Sequence, residues 1–118
     1  MVRTFSCDLL NAVQRARWIR REAQREALLK QMWELLPRLA ARIQFEEAYV
    51  FGSVLNSKRF QDDSDVDVAF VGLQDEDFFP TMAWLSRELG REVDVIQLEG
   101  HRLADKIRKE GLRWTRRS

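Results

Sequence analysis

Tyr49-Val50-Phe51-Gly52-Ser53 and, after an eleven-residue gap, Asp65-Val66-Asp67-Val68-Ala69-Phe70 are the stretches whose reading decides the fold. The first is a short β-rich run, Ala48 to Phe51, stopped by a glycine. Gly52 lets a backbone approach a phosphate without a Cβ clash, and the Gly-Ser turn offers backbone N–H groups to it. Ser53 adds a hydroxyl and opens a short helix to Leu55 or on to Lys58, at whose N-terminus the dipole favours an anion. In the second stretch residues two apart share a face. Val66, Val68 and Phe70 point one way; Asp65, Asp67 and Ala69 point the other. Two carboxylates on one face repel each other unless a divalent cation sits between them and a phosphate. A phosphate cradle beside paired hard-oxygen ligands is what a magnesium–nucleotide site requires.

Outward from this pair, the remaining elements follow from pattern and punctuation. Ser6 or Asp8 caps a long N-terminal helix carrying Leu9, Leu10, Val13, Ala16, Ala23 and Ala27. Helical spacing is clearest in Ala27, Leu28, Met32, Leu35 and Leu36. The polar stretch between Ala16 and Ala27 is exposed or partnered. Pro37 is expected to end this helix and open a second over 37–43. Gln61-Asp62-Asp63-Ser64 reads as a polar loop. Asp75 to Leu89 is amphipathic, with Phe78, Met82, Leu85 and Leu89 inward, Pro80 in its first turn and Gly90 as C-cap. Glu92 to Leu98 is a third strand that sets Asp94 between two inward valines. A closing helix over about 101–110 turns Leu103 and Ile107 inward and stops at Gly111. The expected fold class is α/β (α+β): a small mixed sheet packed on one side by helices.

Asp94 is the best third carboxylate for a two-metal arrangement, in which one ion holds a triphosphate and the other activates an attacking hydroxyl. The composition agrees. With a single histidine, His101, and a single cysteine, Cys7, a metal centre here has to be built from carboxylates, which favours magnesium or manganese over zinc. The lone cysteine excludes an internal disulfide and fits a reducing, cytoplasmic location. No apolar run reaches the ~20 residues of a membrane span, and no signal-peptide stretch opens the chain. The net charge of +1 hides a segregation. Residues 1–44 carry nine Lys/Arg against four Asp/Glu, residues 45–100 four against thirteen, and residues 101–118 seven against two. An acidic middle between basic ends suits a metal centre whose polyanionic ligand needs cations nearby.

The order Tyr-Val-Phe-Gly-Ser, Asp-Ser-Asp-Val-Asp-Val-Ala-Phe and Asp94 closely resembles the minimal nucleotidyltransferases of the DNA polymerase beta superfamily. The likeness runs from about Leu28, through Leu36-Pro37-Arg38-Leu39, to the closing helix with Ile107, Gly111 and Trp114. The resemblance implies a polymerase-beta-like nucleotidyltransferase fold over 1–118, with residues 1–26 as a helical extension and 27–118 as the minimal catalytic core. It implies Gly52 and Ser53 at the nucleotide phosphates and Asp65, Asp67 and Asp94 as catalytic magnesium ligands, two ions in all. The implied reaction transfers AMP from ATP with release of pyrophosphate. Two departures stand out. The gap before Asp-x-Asp is usually ten residues, so one is inserted near Phe60–Asp63. Many relatives carry an arginine where this chain has Asn56, which leaves Lys58 or Arg59 to supply the cation.

Many such proteins are antitoxins that silence a helical HEPN-type ribonuclease toxin by adding AMP to it, and a chain without its own substrate-binding domain has to borrow its acceptor. The expected acceptor is a hydroxyl of the partner, a tyrosine above others. The basic N-terminal helix is the expected docking element, with Trp18 and Trp33 either anchoring the partner or packed inside. The alternative is a non-catalytic antitoxin that neutralises its partner by complex formation. Nucleic-acid contact through Arg15, Arg17, Arg20, Arg21 and Arg25, or Arg113, Arg116 and Arg117, ranks below both. The first helix also permits a homodimer or hetero-oligomer.

Overall fold

The computed structural model describes the backbone of residues 2–116 and the side chains of residues 8–116. Helix α1 spans Val2–Ala40. Strand β1, Glu47–Phe51, runs into a 3-10 turn at Gly52–Leu55. Strand β2 is Val66–Val71, α2 is Phe78–Leu89, and β3 is Val93–Gln97. Helix α3, Ala104–Glu110, and strand β4, Leu112–Thr115, close the chain. The sheet order is β3-β2-β1-β4, with β1 antiparallel to both neighbours and β2 parallel to β3. The parallel pair needs a crossover, and α2 supplies it. Gly90 ends α2 in the left-handed region at φ +67°, donating its N–H to the Ser86 carbonyl.

The sheet is covered on both faces, not one. On the first face Val50, Val66, Val68, Phe70, Val93 and Val95 pack with Leu28, Met32, Leu36 and Leu39 of α1 and Trp84, Leu85 and Leu89 of α2. On the second face Tyr49, Ala69 and Val71 meet Leu98 and Ile107, so α3 lies there. The alternation in β2 therefore does not separate a core face from a wet one. Every residue of the strand except Asp67 is buried.

Three other expectations are corrected. Ser6 and Asp8 lie inside α1, which begins upstream of them, so neither caps it. Pro37 neither ends α1 nor opens a second helix; it sits in the last turn, and the helix runs on to Ala40. A proline costs one i→i−4 bond there, and burial of Leu35, Leu36 and Leu39 around it holds the turn in register. Strand β4 was not expected, and it contains Trp114, which the closing helix does not reach. Its sequence is four residues long, with one of them basic. It is fixed by contacts distant in sequence: Trp114 packs on Phe45, Arg113 pairs with Glu47, and Arg116 donates to the carbonyls of Phe45 and Ile43.

Two apolar assignments also shift. Trp84 is buried in α2, although it was not among the expected inward residues, and Leu103 precedes α3 and is 41% exposed. Trp33 is partly buried against the core, whereas Trp18 is 50% exposed. No helix among the described residues is long and apolar enough to cross a membrane.

Leu36 is fully buried where α1 meets the sheet. Leu36→Ala is expected to cost about 2–5 kcal/mol of folding free energy. Urea denaturation should show the midpoint falling with little change in slope.

Candidate active site

The turn after β1 begins with Gly52 at φ +86°. A Cβ on this residue would overlap Oδ2 of Asp67. The glycine thus does two things: it adopts a left-handed backbone that other residues resist, and it leaves room for the carboxylate. The helix expected at Ser53 is a single 3-10 turn of four residues, too short for a substantial dipole. Any phosphate held here relies on local N–H groups and side-chain cations.

Register brings the expected carboxylates together. Asp67 in β2 lies opposite Phe51 of β1 and opposite Asp94 of β3. Asp65 sits two residues ahead on the same face, exposed just before the strand. Burial pushes the Asp67 carboxyl up to about 6, helped by the negative charges of Asp94 and then Asp65. Asp67 thus feels the charge of both neighbouring carboxylates. Among the described residues no three or more His, Cys, Asp or Glu side chains form a ready metal cage. The set fits a hard divalent cation in its chemistry, all carboxylate oxygen, while remaining open.

Beside this row lies a cleft of about 770 Å³ lined by Phe51, Gly52, Leu55, Asn56, Lys58 and Arg59 on one side and Leu103, Lys106 and Ile107 on the other. Trp18 of α1 reaches its edge. Lys58 and Arg59 are therefore brought to Gly52, and Lys106 joins them. Asn56 carries no charge and is used in the turn: its Oδ1 accepts the Lys58 N–H at 2.9 Å, and its carbonyl accepts from Arg59 and Phe60. The chain around the extra residue is tied down too. Phe60 is buried, Gln61 N–H donates to Ser64 Oγ at 2.8 Å, and Arg91 donates to the Ser64 carbonyl.

Arg25 escaped the sequence reading as a site residue. It donates to the Val54 carbonyl at 3.1 Å and pairs with Glu22 at 2.9 Å, so α1 holds the Gly52–Leu55 turn from behind. The Arg25 hydrogen bond keeps the Glu22 carboxyl below its ordinary range. The Glu22/Arg25 spacing was a legible helix pair; the Val54 contact, 29 residues away, left no local trace. Arg21 similarly donates to Gln61, Arg113 to Glu47 and Arg116 to backbone carbonyls. Much of the basic surface offered for nucleic acid is thus engaged in structure. Arg117 lies outside the described residues.

The family model described as Polymerase beta, Nucleotidyltransferase matches residues 34–117. The chain belongs to this nucleotidyltransferase family. Among solved structures it is similar to a protein assigned as a nucleotidyltransferase from Sulfolobus solfataricus, at 31% identity and TM-score 0.51, covering 78% of this chain and 84% of that one. It also shares its fold with a chain from a toxin–antitoxin crystal structure with AMP-PNP, at 21% identity and TM-score 0.59, covering 70% of this chain and 72% of that one. No curated protein matches.

Raising the folded-state pKa of Asp67 above its unfolded value of 3.8 gives stability that is complete below pH 3.8 and lost as the pH rises through about 6. Asp67→Asn is expected to raise the Tm at pH 7.5, with the gain shrinking as the pH falls towards 4. A thermal-melt series over that range checks it. Gly52→Ala adds about 1–2 kcal/mol of backbone strain as well as the overlap with Asp67. It is expected to lower the Tm, measured by thermal melts beside the wild type.

Proposed function

We propose that the protein transfers AMP from ATP to a side-chain hydroxyl of a partner toxin, and so acts as its antitoxin. The observation carrying this reading is the close approach of Gly52 to Asp67, itself in register with Asp94, beside a cleft edged by Lys58, Arg59 and Lys106. In this reading Gly52 and Ser53 cradle the phosphates, and Lys58, Arg59 and Lys106 offset their charge. Asp65, Asp67 and Asp94 are the residues that would hold magnesium. Bound there, magnesium neutralises phosphate charge and makes the acceptor hydroxyl more acidic. The acceptor oxygen forms a bond to the α-phosphorus, the α–β phosphoanhydride bond breaks, and pyrophosphate leaves with its electron pair. Asp94, on the exposed edge strand, receives the hydroxyl proton and passes it to solvent.

The partner side of the proposal rests on the relative. The structure sharing its fold is described as a toxin–antitoxin with AMP-PNP. We take the partner to be a HEPN-type ribonuclease and the acceptor a tyrosine, with residues 27–118 as the catalytic core and 1–26 as an extension. A second reading, neutralisation by complex formation alone, draws on Asn56, which is engaged in the turn where many relatives place a cation.

Intact-mass spectrometry of the neighbouring-gene product, after incubation with this protein, magnesium and ATP, separates the two. Transfer predicts increments of whole AMP units that disappear with Asp65→Ala and Asp67→Ala. An unmodified partner in a stable complex, silenced equally well by those variants, would establish the second reading. Asp94→Asn is expected to lower transfer at least 100-fold with ATP affinity largely kept, consistent with loss of a general base. Equal loss of both would make Asp94 structural.

A further inference from the structure

We infer that Trp18 is the base platform of the nucleotide site: its indole stacks on the base of the nucleotide whose phosphates the Gly52–Ser53 turn holds. The inference rests on the nucleotide reading of that site and gives it a second half, contributed by α1. The cleft beside Gly52 has two kinds of lining. Its cations, Lys58, Arg59 and Lys106, outnumber the one acid that lines it, Glu110. Its apolar lining includes Trp18, Leu55 and Leu103. Trp18 and Leu103 are large hydrophobic side chains left 50% and 41% exposed. A single exposed hydrophobe needs no explanation. Two from distant parts of the chain, opening onto one cationic cleft, describe a ligand with an anionic end and a flat apolar end. A nucleoside triphosphate has both, and a cleft of about 770 Å³ is of the size that takes such a molecule.

The helix holds Trp18 in place relative to the Gly52–Leu55 turn. Trp18, Arg21 and Arg25 follow at spacings of three and four and share one face of α1. Arg25 donates to the Val54 carbonyl at 3.1 Å and Arg21 to Gln61 at 3.2 Å. Trp18 comes one turn further out, about 4.5 Å along the axis from Arg21. It therefore moves with the root of the helix and not with its tip. Two other hollows touch the same indole. One, with Arg17, Arg20, Arg21 and Asp62, has no apolar lining besides Trp18. The other, with Asn11, Gln14, Arg15 and Ile19, is walled by α1 alone. Only in the cleft beside Gly52 do side chains from other elements, Leu55 and Leu103, continue the apolar surface. An aromatic face accepts any base, because every base has a π-face, so the platform adds affinity without choosing among bases. Trp18 lies outside residues 34–117, which the family model matches, so this platform belongs to the segment preceding the shared domain.

Calorimetry of the full chain with magnesium compares ATP with inorganic tripolyphosphate, which has the phosphates and no base. Trp18→Ala is expected to weaken ATP about tenfold, the size of one base–aromatic stack, and tripolyphosphate by less than about twofold. Retained tripolyphosphate binding also shows that the variant is folded. Trp18→Phe keeps a stacking face and should hold ATP to within about threefold of the wild type. A second readout needs no altered ligand affinity. In the wild type, ATP but not tripolyphosphate should shield Trp18 from acrylamide, its emission being taken as the difference from Trp18→Phe. ATP binding that is unchanged in Trp18→Ala overturns the inference and leaves the exposed indole to a protein partner. Equal loss of both ligands also overturns it and makes Trp18 a structural prop. A wild type that binds neither ligand overturns the nucleotide reading itself, and this inference with it.

Discussion

Negative charge held next to negative charge is the constraint around which this domain is built. Asp67 and Asp94 lie opposite each other on paired strands, with Asp65 at the mouth of the same face. Folding gains nothing from this row, and the raised Asp67 carboxyl registers the cost. The surrounding hydrophobic contacts must supply enough free energy to hold it. They do so because β2 is buried along both faces at every other position, leaving the strand no register in which the carboxylates could separate. Gly52 completes the constraint by removing the one side chain that would compete with Asp67 for space.

The shared face of the carboxylates was legible because it rests on rules of period two. Alternation along β2 gave the shared side of Asp65 and Asp67, and a carboxylate set between two valines marked Asp94. Gly52 and Gly90 announced their turns for the same local reason: both adopt a positive φ. Helix α2 and the crossover it makes were also written locally, in an amphipathic run ended by glycine.

What the sequence hid was tertiary. Strand β4 has no strong apolar pattern, since its order comes from Phe45, Glu47 and the carbonyls of residues 43 and 45. Pro37 read as a helix end because a local rule was applied where burial of the flanking leucines overrides it. The role of α3 in covering the second sheet face was invisible for a similar reason. Tyr49, Ala69 and Val71 look like ordinary strand residues until Ile107 is set against them. Lys106 joined the cleft only once that helix was in place.

Helix α1 leaves the body at the Gly52–Leu55 turn, where Arg25 grips the Val54 carbonyl and Arg21 holds Gln61. About eighteen residues project beyond that grip, an arm of roughly 27 Å. The molecule is accordingly 63 Å long but only 28 Å and 24 Å across. Mechanically this is a lever whose fulcrum is the loop beside the carboxylates. A small sideways displacement at the tip becomes a torque on Val54, one residue from Ser53 and two from Gly52. Whatever grasps the arm also has a handle on the geometry of the Gly52–Ser53 turn.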